Sequence, residues 1–160
     1  MTTRRALRRR PVTVPFVLGI AVLSSGLAAC GGGTPNQVTV IGRDYAFEAP
    51  EVLPPGPTAI EFENRGEVDH EMVLVRLKAG MTMDDVMAAI RSGKDRDALM
   101  EGGPAVLIAS PHRTSPSRLL VDLVAGRTYV LVCNFKDKPD AKPHVALGMR
   151  TSFRVEPGAS

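Results

Sequence analysis

The chain has 160 residues, 44% of them hydrophobic and 23% charged, with two cysteines and three histidines. That length suits one domain with its own core, and so few cysteines exclude a scaffold held by several disulfides. The formal net charge of +3 rests on the first ten residues, which carry five arginines and no acid; without them 15 Lys+Arg face 17 Asp+Glu. The basic balance thus belongs to the N-terminus, no basic run with interleaved aromatics follows, and nucleic-acid binding is not expected.

MTTRRALRRR is followed by the apolar run VTVPFVLGIAVLSSGLAA, which stops at Cys30. This is the layout of an export signal. Pro15, Gly19 and the Ser24-Ser25-Gly26 break suit a cleaved segment better than a stable spanning helix. Leu27-Ala28-Ala29-Cys30 resembles the bacterial lipobox, which implies a lipid on Cys30 and an extracytoplasmic protein anchored to the cell membrane. TRRALR, residues 3–8, also resembles a twin-arginine export signal. GGGTPNQ reads as a flexible tether. The expected organisation is a lipoprotein signal over 1–29, a lipidated cysteine and tether over 30–37, and one domain over 38–157. With Cys30 lipidated, Cys133 is the only thiol and no intramolecular disulfide can form. A lone thiol outside the cytoplasm needs burial or a function.

From there the pattern is mostly β. QVTVIG (37–42) alternates, and TAIEFEN (58–64) sets Ile60 and Phe62 against Glu61 and Glu63. PEVLPPGP (50–57) is a proline-rich turn. HEMVLVRL (70–77) is apolar at nearly every position, as in a strand buried on both faces. MTMDDVMAAIRSGKDRDALMEGGP (81–104) changes to helical spacing, with Thr82 as a cap, Asp84 and Asp85 in the first turn, and Met83, Val86, Met87 and Ile90 on one face. A second short helix over Asp95 to Met100 would close at Gly102-Gly103. The helical insertion therefore spans about 82–101. RLLVDLVAGRTYVLVCNF (118–135) reads as two strands joined at Ala125-Gly126, and MRTSFRVEP (149–157) as the last strand.

Four side chains stand out: His70, Cys133, His144 and Met149. Each alone has a plain explanation, as a core cysteine, a solvated histidine or a methionine filling space. Together they are a thiolate, two imidazoles and a thioether, a donor set that suits copper in both oxidation states. Cys133 would end one strand, the loop 134–143 would return His144 over it, and Met149 would open the next strand. Pro143 restricts the backbone before His144, and Gly148 allows close approach beside Met149. His70 would come from a neighbouring strand. Met81, Met83, Met87 and Met100 are better read as packing than as a Cu(I) site. His112 lies in a loop without a partner pattern.

NRGEVDHEMVLVRL (64–77), YVLVCNF (129–135) and KPHVALGMRTSFRV (142–155) resemble the cupredoxins, the plastocyanin and azurin superfamily. The resemblance implies an all-β Greek-key sandwich, here with a short helical insertion. It also implies one type 1 copper ligated by His70, Cys133, His144 and Met149, and one-electron transfer between redox proteins of the bacterial envelope. A monomer and no enzymatic activity are expected. In the family the second histidine's exposed edge is where electrons leave. Two departures are visible: ten residues separate Cys133 from His144, a long gap, and Glu71 stands where many blue-copper proteins have Asn. Two other readings share the fold, a copper-delivery lipoprotein and a metal-free docking module.

Overall fold

The structure is a computed structural model and describes residues 34–157. The expected signal segment and Cys30 lie outside the described residues.

The two cleanly alternating segments lie side by side. Asn36–Arg43 (β1) runs parallel to Gly56–Asn64 (β4), with Val38 opposite Ile60 and Val40 opposite Phe62. Because successive strand residues face opposite ways, Val40, Ile60 and Phe62 turn inward and are buried, while Glu61 and Glu63 occupy the outer face. Ala46–Glu48 (β2) pairs with β1, and Arg113–Thr114 and Leu119–Leu123 pair with β4 to complete the first sheet.

The second sheet contains, in spatial order, Val52–Leu53 (β3), Arg150–Val155 (β10), Thr128–Val132 (β9), His70–Leu77 (β5) and Met100–Ala109 (β6). Strand β3 lies inside the stretch expected only as a turn. Its two residues pair in parallel with Arg154 and Val155 before Pro54 and Pro55, which lack the amide hydrogens a ladder needs. The strands on either side of Ala125-Gly126, Leu119–Leu123 (β8) and β9, belong to different sheets. Gly126 adopts φ 74° at that turn, in the left-handed region glycine favours.

The apolar run of β5 has a double explanation. Met72 and Leu74 face the core between the sheets, together with Phe62, Leu131 and Phe153. Val73 and Val75 face outward and are covered, with Val130 and Val132, by Val86 and Met87 of the helix Met83–Ser92 (α1). Thr82 caps that helix. Its hydroxyl accepts from the Asp85 amide while the Asp85 carboxylate accepts from the Thr82 amide, so two amides with no partner inside the helix are satisfied. Met81, Met83, Ile90 and Met100 pack against the same outer cluster, so the methionines fill space there.

The expected second helix forms only as a short 3-10 turn and does not close at the glycines. Asp97–Leu99 makes one 3-10 turn, and Gly102-Gly103 lie within β6. The edge of β5 decides this: Met100 and Glu101 pair antiparallel with Leu77 and Arg76, and Ala105 to Ala109 continue the ladder from Leu74 to His70. A ladder to a distant strand satisfies the backbone amides that weak local helix signals leave undecided.

Candidate metal centre

The second sheet carries three of the four candidate residues to one end. Strands β5 and β9 are antiparallel neighbours, with Val73 opposite Val132, so His70 at the start of β5 lies near Cys133 just past the end of β9. Strand β10 flanks β9 on its other side and begins directly after Met149. The Cys133 amide donates to the Met149 carbonyl at 3.2 Å.

The loop 134–143 brings the fourth. It ends in a single helical turn, His144–Leu147 (α2), after Pro143 at φ −65° and ψ 148°. The His144 amide bonds the Phe135 carbonyl at 2.8 Å, the Val145 amide bonds the Cys133 carbonyl at 2.7 Å, and the Met149 amide bonds the His144 carbonyl at 2.9 Å. The loop is thereby tied to both neighbouring ligand positions. Gly148 has φ 123°, a conformation side chains resist, whereas a Cβ there would meet only ordinary contact, 3.5 Å from the Tyr45 carbonyl. Its role is backbone conformation and not the close approach expected from sequence. The close approach is at Gly42, where a Cβ would stand 2.9 Å from the Phe62 ring and 3.3 Å from Met149 Cε.

His70, Cys133 and His144 offer donor atoms that all lie within 4.8 Å of one another. The two Nδ1 atoms are 3.2 Å apart, and Cys133 Sγ is 3.4 Å from His144 Nδ1 and 4.0 Å from His70 Nδ1. All three residues and Met149 are at most 1% exposed.

The outer nitrogens of both rings meet carboxylates. His70 Nε2 is 3.0 Å from Asp44 Oδ1, and His144 Nε2 is 3.0 Å from Asp137 Oδ1. Burial works to raise the Asp44 carboxyl, but the Glu67 amide and the His70 ring outweigh it and hold it below its usual value. The Tyr45 hydroxyl, aided by His144, outweighs burial and likewise holds Asp137 low. Ionised carboxylates only accept, so each Nε2 carries the hydrogen and each Nδ1 turns a lone pair inward. Burial, reinforced by the neighbouring His144, lowers the pKa of His70 against the pull of Asp44, which favours the neutral ring. Two inward lone pairs and a sulfur crowd one buried point, an arrangement that a cation completes. A soft thiolate with two imidazoles, together with the buried thioether of Met149, whose backbone bonds Cys133, is the donor set of a type 1 copper centre. The residues present fit that metal.

Glu71 takes part from the thiol side. Its amide approaches Cys133 Sγ at 3.5 Å, and its carboxylate accepts from the Asn134 amide at 2.9 Å and from Asn134 Nδ2 at 3.1 Å. A single side chain thus fixes the residue after the cysteine. Burial pushes the Cys133 thiol up, against the Glu71 and Phe135 amides, so a bound cation would have to stabilise the thiolate. Arg96 donates to Asn134 Oδ1 at 3.3 Å, which ties the segment after α1 to the thiol's neighbour.

The expectation for His144 is also overturned. The second histidine does not present an open edge: Tyr45 lies edge-on over His144 with ring centroids 4.9 Å apart, and the Tyr45 hydroxyl donates to Asp137 Oδ2 at 2.7 Å. His112 is exposed and pairs with Glu67 at 3.2 Å, outside the cluster. Asp44, Tyr45 and Asp137 were not singled out from sequence, since none belongs to a spacing pattern. The only signal was the length of the loop that carries Asp137.

No protein-family model matches the sequence, and no curated protein does. Solved structures resemble the fold. The dithionite-reduced auracyanin of the photosynthetic bacterium Roseiflexus castenholzii aligns over 78% of this chain and 100% of its own, with TM-score 0.50 and 21% identity. Auracyanin B aligns over 78% of this chain and 92% of its own, with TM-score 0.50 and 25% identity. The architecture is a cupredoxin-like two-sheet sandwich with short helices.

Proposed function

We propose that this protein is a one-electron carrier with a single type 1 copper held by His70, Cys133, His144 and Met149, and not an enzyme. The observation that carries the reading is the convergence of a buried thiol and two inward-facing Nδ1 atoms within 4.8 Å. Copper bound there would supply one-electron chemistry by alternating between Cu(I) and Cu(II). The chain's part is to hold the ligands on strand ends and a self-bonded loop, so that the geometry changes little between oxidation states. The auracyanin with the same fold was captured in a dithionite-reduced form, which supports a redox role. The test is the visible spectrum after one equivalent of Cu(II). An intense thiolate-to-copper band, absent in Cys133→Ala, is expected; a colourless protein that binds no copper would remove the reading.

The Leu27-Ala28-Ala29-Cys30 sequence further supports an extracytoplasmic lipoprotein anchored through Cys30, exchanging electrons with redox proteins of the envelope. Mass spectrometry of the N-terminal peptide should find diacylated Cys30 and no residues before it. An unprocessed N-terminus would count against the anchor alone.

A further inference from the structure

We propose that Asp44 and Asp137 are positioning residues for the metal: each locks one ligand histidine as its Nε2–H tautomer, and their two negative charges favour Cu(II) over Cu(I). This rests on the copper reading above.

The geometry is matched on the two rings. Both Nε2 atoms lie 3.0 Å from a carboxylate oxygen, and both rings are buried. Both carboxylates stay partly accessible, with side chains 30% and 32% exposed, so they remain charged while each faces a ring shielded from water. Neither is free to swing. Asp44 also accepts from the Glu67 amide, at 3.1 Å to Oδ1 and 3.0 Å to Oδ2. Asp137 is held on its other oxygen by Tyr45, which directly follows Asp44 in the chain. One turn after β1 therefore braces both histidines. Gly66 leaves the space for this: a Cβ there would stand 2.9 Å from His70 Nε2 and collide with Asp44 Oδ1.

A carboxylate behind a ligand imidazole fixes its orientation and makes the inward nitrogen more basic. A negative charge at the same place stabilises the more positive metal. The long loop thereby acquires a purpose, because Asp137 precedes its own histidine by seven residues and folds back onto it.

The test uses the full chain in four variants, Asp44→Asn, Asp137→Asn, Asp44→Ala and Asp137→Ala. Nitrogen-15 NMR of the metal-free wild type should find Nε2–H at His70 and His144. The Asn variants keep an acceptor and lose the charge, so their reduction potentials should rise with the tautomers unchanged. The Ala variants lose both and should also bind Cu(II) about 10- to 100-fold more weakly, read by competition with a chelator. Potentials in the Asn variants equal to wild type, or Nδ1–H tautomers in the metal-free protein, would overturn the inference. Absence of copper binding by the wild type would instead overturn the functional reading on which it rests.

Discussion

Both faces of β5 are buried, but they are covered in different ways. The inner face meets another sheet: Met72 and Leu74 interlock with Phe62, Leu131 and Phe153, residues distant in sequence and each fixed by its own strand. The outer face meets one ten-residue helix, which places Val86 and Met87 on Val73 and Val75 and is capped by Thr82 at its start and by Gly93 at its end. The inner face seats the paired strands that carry His70 and Cys133 against the other sheet. At Val73 and Val75 the outer face shields that scaffold from water. Stability and function should therefore respond differently to equal damage on the two sides.

The largest effect should come from Phe62→Ala. A wholly buried ring leaves a cavity between the sheets, at a cost of about 3–5 kcal/mol. Denaturant unfolding should shift by that amount, and the copper band should weaken because Phe62 also lies against the Gly42 and Met149 side of the centre. On the outer face, Met87→Ala should cost less, about 2 kcal/mol, because the helix can settle onto the sheet. Its copper spectrum should match wild type. A spectrum altered as much as that of Phe62→Ala would show that the helix helps to shape the site, through Arg96 and Asn134.

Thr82→Ala isolates the cap and should cost about 1 kcal/mol in denaturant unfolding, with no change in the metal centre. The smallest effect concerns pH. The Thr82 hydroxyl and amide hold the Asp85 carboxyl below its usual 3.8. A depressed folded value means this contribution is complete above 3.8 and is lost as pH falls through the lower value in the folded state. Acid titration by circular dichroism should show α1 losing helix there, and Thr82→Ala should remove that step while leaving the β signal.

Much of this was legible along the chain. Alternation in 58–64 located the inward Ile60 and Phe62, and the unbroken apolar run of 70–77 announced burial on two sides. Thr82 and the acids after it marked the start of α1 correctly. The cluster of His70, Cys133 and His144 was legible too, because so few histidines and one internal thiol leave little choice of donors. What failed was 100–104, where glycines suggested a helix end and the open edge of β5 recruited the start of a strand. The accessibility of His144 also failed, because no local pattern reveals that a tyrosine near the N-terminal end of the domain lies over it.

The division has a physical basis. Side-chain periodicity and capping act within a few residues, so sequence by itself determined which faces are buried, where α1 begins, and which atoms are able to bind a soft metal. Tertiary structure alone decided how those atoms are backed: Asp44 reaches His70 across 26 positions and Tyr45 reaches Asp137 across 92. Contacts at such separations depend on the path of the whole chain through two sheets, which no local spacing encodes.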